Sequence, residues 1–300
     1  MTGLSWYLQN LLAYSLQLAV MIGTAALLVK FLPIGAPRLA YAYWRFLLLT
    51  CLLLPLIQPW AVPQQPALTS FFVPFQKVPG PEVSKTLTPD APWQIPYVPL
   101  LIGILAAGIV FRASRFVAGA LSLRRALERA RPADCPASWK VTVALRGVQP
   151  QICFVDGVTS PATYGLRRPV ILLPPAFSKL TERQQQAVIY HEVRHVERHD
   201  WLFRLGEETV RCLFWFHPLV VWLTRRIELS REQEVDQEVV EMMGENKPYL
   251  ESLMEMANAR LGGTVAAVFL TESYLRQRVR LIKEGLTMSK RRLSLSLAVS

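Results

Sequence analysis

Charge is what this 300-residue chain has least of. Only 18% of its residues are Asp, Glu, Lys or Arg, against about 25% in soluble proteins. None falls within residues 1–29, 46–76 or 91–111. Acids are scarcer than bases, 22 against 33. Cysteine is scarce too: Cys51, Cys135, Cys153 and Cys212 show no C-x-x-C spacing. That argues against a disulfide framework and a cysteine metal site. There is no internal repeat. With 52% hydrophobic residues, the chain is not disordered, since disorder goes with low hydrophobicity.

The apolar residues are clustered, and a spanning helix needs roughly 20 of them in a row. Three segments qualify, at about 6–32, 41–60 and 95–116. The first is too long and uniform for a cleaved signal peptide. Between Pro55 and Pro99 lie 11 of the 22 prolines, which makes 61–94 an extended, Pro-rich loop. The expected organisation is two membrane helices in 1–60, the loop 61–94, a third helix at 95–116 and a candidate soluble domain over 117–288. The basic cluster at 289–292 and the apolar residues after it resemble the start of a fourth membrane helix in 289–300.

The net charge of +11 points first to topology rather than to nucleic acid, because Lys and Arg collect in cytoplasmic loops. Lys30, Arg38 and Arg45 have no acid near them, and residues 61–94 carry no net charge. Six arginines between 112 and 131 face Glu128 alone. The N-terminus and loop 61–94 are therefore expected outside, and everything after 116 inside.

Within 120–290, Gln151–Asp156 and Pro169–Leu173 read as short strands. Thr181–Gln184 is a T-x-x-Q capping box, opening a helix that carries His191, His195 and His199. Further helices are expected at about 201–215, from Pro218 to Met243 with a stop at Gly244, at 247–260 and at 271–284.

Three of the four histidines lie in His191–Asp200, which opens with H-E-x-x-H. Positions i and i+4 share a helix face, so His191 and His195 can bind one zinc ion. Glu192, one residue round, can take a proton from water that the metal activates. The plainer reading is a polar, solvated helix start. A catalytic zinc needs a third protein ligand. Glu232, with Asp236 one turn on, can supply it and brace a zinc histidine. Glu228, Glu234 and Glu238 lie close by, so spacing alone also fits an exposed acidic face. His199 is expected at the surface or beside the metal. His217 can stabilise an oxyanion if the helices bring it to the metal; otherwise it caps a helix or sits at the membrane interface. Residues 213–223 are apolar but too short to span, and either pack in the core or dip into the interface. Val170 and Ile171, in a strand bounded by Pro169 and Pro174, can take up substrate as an added strand on a sheet edge, or are plain core.

HEVRHVERHD, then FWFHPLVVWL, then R-E-x-x-x-D at Arg231–Asp236 resemble the membrane zinc metallopeptidases of the BlaR/MecR type, an antirepressor or sensor-transducer family. Ser160–Pro174 looks like the family's segment before its zinc helix, and the likeness covers about residues 5–290. The resemblance implies a mostly α fold: polytopic membrane helices plus a cytoplasmic α+β, gluzincin-like zinc protease domain with a small sheet. It implies one Zn2+ per chain on His191, His195 and Glu232, with Glu192 as general base and Asp236 behind a ligand. Val235 stands where members often carry Cys, a position that is not a ligand. The implied setting is the bacterial inner (cytoplasmic) membrane. The implied substrate is a protein or peptide such as a transcriptional repressor, cleaved in signal transduction. Membrane lipid is an expected partner and a homodimer remains open; direct nucleic-acid binding is not expected. The competing readings are a quality-control or CAAX-type membrane protease and a non-enzymatic receptor with a structural zinc, which would have no use for Glu192.

Overall fold

The computed structural model describes residues 3–31, 36–57, 97–134, 136, 139, 147–260, 275, 277–280 and 282. The loop 61–94, the tail 289–300 and most of the helix expected at 271–284 lie outside the described residues.

Among the described residues, three helices are long and apolar enough to cross a membrane: α1 (Gly3–Phe31), α2 (Pro37–Ile57) and α3 (Tyr97–Glu128). Pro37 opens α2, where its missing N–H costs nothing. The third helix was expected to end at 116. It continues to Glu128, so a domain boundary at 117 falls inside it. The apolar residues that face lipid in a spanning helix stand exposed here, among them Leu12, Leu16, Phe46 and Val110.

The sheet is small: β1 (Arg131–Pro132), β2 (Gln151–Phe154), β3 (Ala162–Tyr164) and β4 (Val170–Leu173), in the order β1-β2-β4-β3. β2 and β4 are parallel; β3 runs antiparallel to β4, pairing Thr163 with Ile171 and Tyr164 with Val170. This corrects one expectation. Val170 and Ile171 lie on a strand paired on both sides, and Ile171, Leu172 and Leu173 are wholly buried. They are core. Among the described residues, the edges of the sheet are β1 and β3.

Four helices follow: α4 (Glu182–Glu197), α5 (Asp200–Leu213), α6 (Pro218–Met243) and α7 (Lys247–Arg260). The capping box opens α4 in both directions, with Gln184 N–H on the Thr181 hydroxyl and Thr181 N–H on the Gln184 side chain. Gly244, at φ 67°, closes α6 in the left-handed conformation that favours glycine. Between α4 and α5, His199 also adopts a left-handed conformation, at φ 57°. It is the only non-glycine with positive φ among the described residues. It is also exposed, and the helix has ended before it, so it does not share a face with the other two histidines.

Most of residues 213–223 pack inward, although Leu213 and Pro218 are exposed. Phe214, Leu219, Val220, Trp222 and Leu223 join a core that contains Tyr14, Leu18 and Ile22 of α1 and Trp44, Leu47, Leu48 and Cys51 of α2. Trp215 Nε1 donates to the carbonyl of Leu105 on α3 at 3.2 Å, and its indole lies against Gly108, where a Cβ would collide with it. A second core lies between the sheet and α4, around Ile171, Phe177, Ile189 and Val193. A third joins α4, α6 and α7 through Tyr190, Val235, Val239 and Tyr249.

Candidate metal centre

α4 is buried from Ala187 to Val193. Its 3.6-residue period therefore presents two imidazoles, one turn apart, to the interior. His191 Nε2 and His195 Nε2 lie 3.1 Å apart. Glu232 of α6 completes the group, with carboxylate oxygens 3.5 Å from His191 Nε2 and 3.6 Å from His195 Nε2. The three donor atoms lie within 4.8 Å of one another, and all three residues are buried. Glu232 is selected by what its neighbours do. Glu234 and Glu238 face Arg38 of α2, and Glu228 pairs with Arg211.

Each histidine is oriented from behind. Asp200, the first residue of α5, lies 2.7 Å from His195 Nδ1. A carboxylate accepts the Nδ1–H, which leaves the Nε2 lone pair free to bind a metal. The left-handed His199 makes this contact possible by turning the chain back after α4. His191 Nδ1 lies 2.8 Å from the Tyr249 hydroxyl. That hydroxyl donates to Asp236 Oδ1 at 2.5 Å, so its oxygen accepts from the imidazole. Asp236 thus acts on His191 through Tyr249; its own oxygen is 3.5 Å from the ring. Arg278 anchors the chain of contacts, donating to Asp236 at 2.6 and 2.9 Å and to Tyr249 at 3.1 Å.

Burial opposes ionisation of Glu232, but His195, Arg278, His191 and Arg204 outweigh it and hold its carboxyl well below the usual range. Arg204 reaches it at 2.8 Å and Arg278 at 3.3 Å. Burial and the Asp236 carboxylate push the Tyr249 phenol well above its ordinary value, so it stays a hydroxyl at neutral pH. Burial likewise opposes the ionised form of Asp200, yet His195, Arg198 and Arg231 hold its pKa down. Two imidazole nitrogens with free lone pairs and one ionised carboxylate, converging in a buried pocket, form the donor set that zinc prefers. The residues present fit a metal.

A cavity of about 780 Å³ opens onto this group. Glu192 borders it beside His191, His195 and Glu232, and Ala162 and Thr163 of the edge strand β3 line its wall. His217 is elsewhere, which corrects the expectation of a transition-state contact. Its Nδ1 accepts the Val220 N–H at 3.3 Å, and its Nε2 donates to the Ser15 carbonyl of α1 at 3.0 Å. It caps α6 and fastens it to α1. The sequence reasoning missed Asp200, Tyr249, Arg204 and Arg278. The only available signal was for Asp200, which ends the HEVRHVERHD run.

The chain combines candidate membrane helices with a buried His-His-Glu group of the kind a metallopeptidase uses. The chain belongs to the BlaR1 peptidase M56 family, whose model matches residues 9–282. It is 26% identical to the regulatory protein BlaR1 of Bacillus licheniformis over 129 residues, covering 42% of this chain and 22% of that protein. It is 25% identical to the methicillin resistance mecR1 protein of Staphylococcus aureus over 138 residues, 44% of this chain and 24% of that protein. The matched stretch thus spans under a quarter of each relative's length.

Proposed function

We propose that this chain is a zinc endopeptidase of the cytoplasmic membrane, with its active site facing the cytoplasm and a regulatory protein as its substrate. The observation that carries the catalytic reading is the shared cavity, where Glu192 stands beside three convergent metal-binding groups. His191, His195 and Glu232 would hold the ion, which when bound supplies a Lewis acid for the scissile carbonyl and acidifies water. Glu192 takes the proton of the attacking water and returns it to the leaving amine. Asp200 and Tyr249 keep the two imidazoles in the ligating tautomer. The edge of β3 offers an extended peptide backbone hydrogen bonds along the cavity wall.

The charge pattern supports a cytoplasmic site. Arg38 and Arg45, from the uncompensated basic stretch, contact Glu238 on α6 and the Phe203 ring on α5. The basic ends of the first two membrane helices and the metal centre therefore share one side. The name of one relative gives that protein a regulatory role; a regulatory protein such as a repressor as the substrate is what the family resemblance implies.

Glu192→Gln is the test. The amide cannot accept a proton but leaves the ligands alone, so metal analysis should find the parental zinc content while proteolysis falls by ~10²–10⁴-fold. Cleavage at the parental rate would leave only a structural metal. In the same cells, a cysteine at Ser178 should react only after permeabilisation, and one at Ser84 without it; the reverse pattern would put the site outside.

A further inference from the structure

The metal centre occupies one end of its cavity. Along α6 the wall continues through Leu229 and Glu228 to Arg226, Arg225 and Trp222. Glu228 is committed to Arg211 at 3.1 Å. The two arginines are not committed. Among the described residues, no carboxylate pairs with Arg225 or Arg226, although almost every other arginine near the centre has one: Arg194, Arg198, Arg204, Arg211, Arg231 and Arg278 all do. Arg225 is exposed. Arg226 is half-buried, and its Nε is buried without a hydrogen-bond partner. Its guanidinium lies 5.9 Å from the Trp44 ring centroid and 5.7 Å from that of Trp222. Those two rings meet edge to face at 5.5 Å. Aromatic neighbours hold a guanidinium in place while leaving its N–H edge unused. A preformed fork with free donors, bordering a cavity, suits a planar carboxylate.

Resting on the reading of the chain as an endopeptidase, we propose that Arg226, with Arg225 beside it, is a subsite for an acidic side chain of the substrate. The balance of the whole cavity favours this. Four arginines border it (Arg204, Arg225, Arg226 and Arg278), against three carboxylates, those of Glu192, Glu228 and Glu232. A divalent ion held by His191, His195 and Glu232 would add positive charge. The position sets the spacing. Arg225 precedes Glu232 by two helical turns, ~10 Å along the axis. An extended peptide advances about 3.3 Å per residue. The selected Asp or Glu should therefore stand about three residues from the cleaved bond.

The test uses the full chain in lipid vesicles with zinc. The probe is the peptide mixture from a chymotryptic digest of a bacterial proteome, which keeps acidic and basic residues. Cut sites are read by mass spectrometry of the new termini. The parental protein should show Asp and Glu enriched at one position two to four residues from the bond. Arg226→Gln and Arg225→Gln should lower cleavage of those acidic peptides about tenfold, the order expected for a lost charge-assisted hydrogen bond, with preferences at other positions unchanged. Arg226→Lys, which keeps the charge, should retain part of the enrichment and reports that the fold is intact. An unchanged acidic preference in Arg226→Gln overturns the proposal. So does an unchanged preference accompanied by lost dependence on phosphatidylglycerol in the vesicles, which would make the site a lipid-phosphate contact. If no peptide is cut by any form, the endopeptidase reading fails instead. The subsite is then read by fluorescence anisotropy of a labelled Glu-containing decapeptide and its Gln counterpart. Tighter binding of the acidic peptide that disappears in Arg226→Gln supports the subsite, and equal binding refutes it.

Discussion

The two halves of α6 each bury a face, in opposite kinds of surroundings. From Pro218 to Ile227 the helix lies among apolar side chains of α1 and α2, and the polar groups at its entry are satisfied singly, by backbone carbonyls of Ser15 and Leu105. From Arg231 to Glu238 it is wrapped in ions. Arg231 pairs with Glu207, Glu234 with Arg198, Glu238 with Arg194 and Arg38, and Asp236 with Arg278. Glu232 belongs to the second half. The comparison teaches where a metal ligand can be kept ionised. A carboxylate among aliphatic side chains would take up a proton. Among arginines and imidazoles, the same carboxylate stays charged and ready to bind.

The sharpest way to break the charged half is to remove a ligand. His195→Ala should abolish tight zinc binding, with metal content of the purified protein falling towards zero, because two donors do not make a closed site. Full occupancy in that variant would mean that the ion sits elsewhere. Asp200→Asn keeps the shape and removes the carboxylate that orients His195. Zinc affinity or activity should fall by ~10–100-fold, measured by competition with a chelating dye.

The apolar half is tested at Gly108. Gly108→Val forces a side chain into the Trp215 indole. It should lower stability in detergent by about 1–3 kcal/mol, the usual cost of overpacking, and leave the zinc stoichiometry unchanged. Loss of zinc together with stability would show that the two halves do not act separately.

The smallest effect concerns acid. Burial opposes the ionised form of Glu238, but Arg194 and Arg38 outweigh it and hold its pKa below the ordinary value. A depressed folded pKa stabilises above the unfolded value, ~4.3 for Glu, and that contribution is lost as the pH falls through the folded value. The stability gap between the parental protein and Glu238→Gln should therefore be widest near neutrality and close below about pH 4. A gap that widens in acid would reverse the sign.

The parts of this molecule that were legible in the sequence are the ones written along a single helix. His191 and His195, the Thr181 box and the Gly244 stop are local patterns that periodicity finds; Glu232 and Asp236 share a helix face too, but among several acids only the family resemblance singles them out. Tyr249 reaches His191 across 58 residues of sequence and Arg278 reaches Asp236 across 42, and no local pattern encodes such contacts. Asp200 is near in sequence but lies past a left-handed residue, where helical periodicity stops applying. The edge strand was misplaced for a related reason. The prolines around 170–173 suggested an edge, but Ala162–Tyr164, a strand of three residues, covers that side of β4. His217 was ambiguous because a capping imidazole and an oxyanion-binding one look alike until their partners are known.

The seating of α6 against α1 and α2 has a consequence for how the protein is made. Both membrane helices leave the ribosome long before Glu232 is translated. The long helix that carries this ligand finds its apolar partners only where α1 and α2 already stand together in the bilayer. The group formed by His191, His195 and Glu232 thus depends on the pairing of α1 and α2, because the helix that carries Glu232 is seated on both.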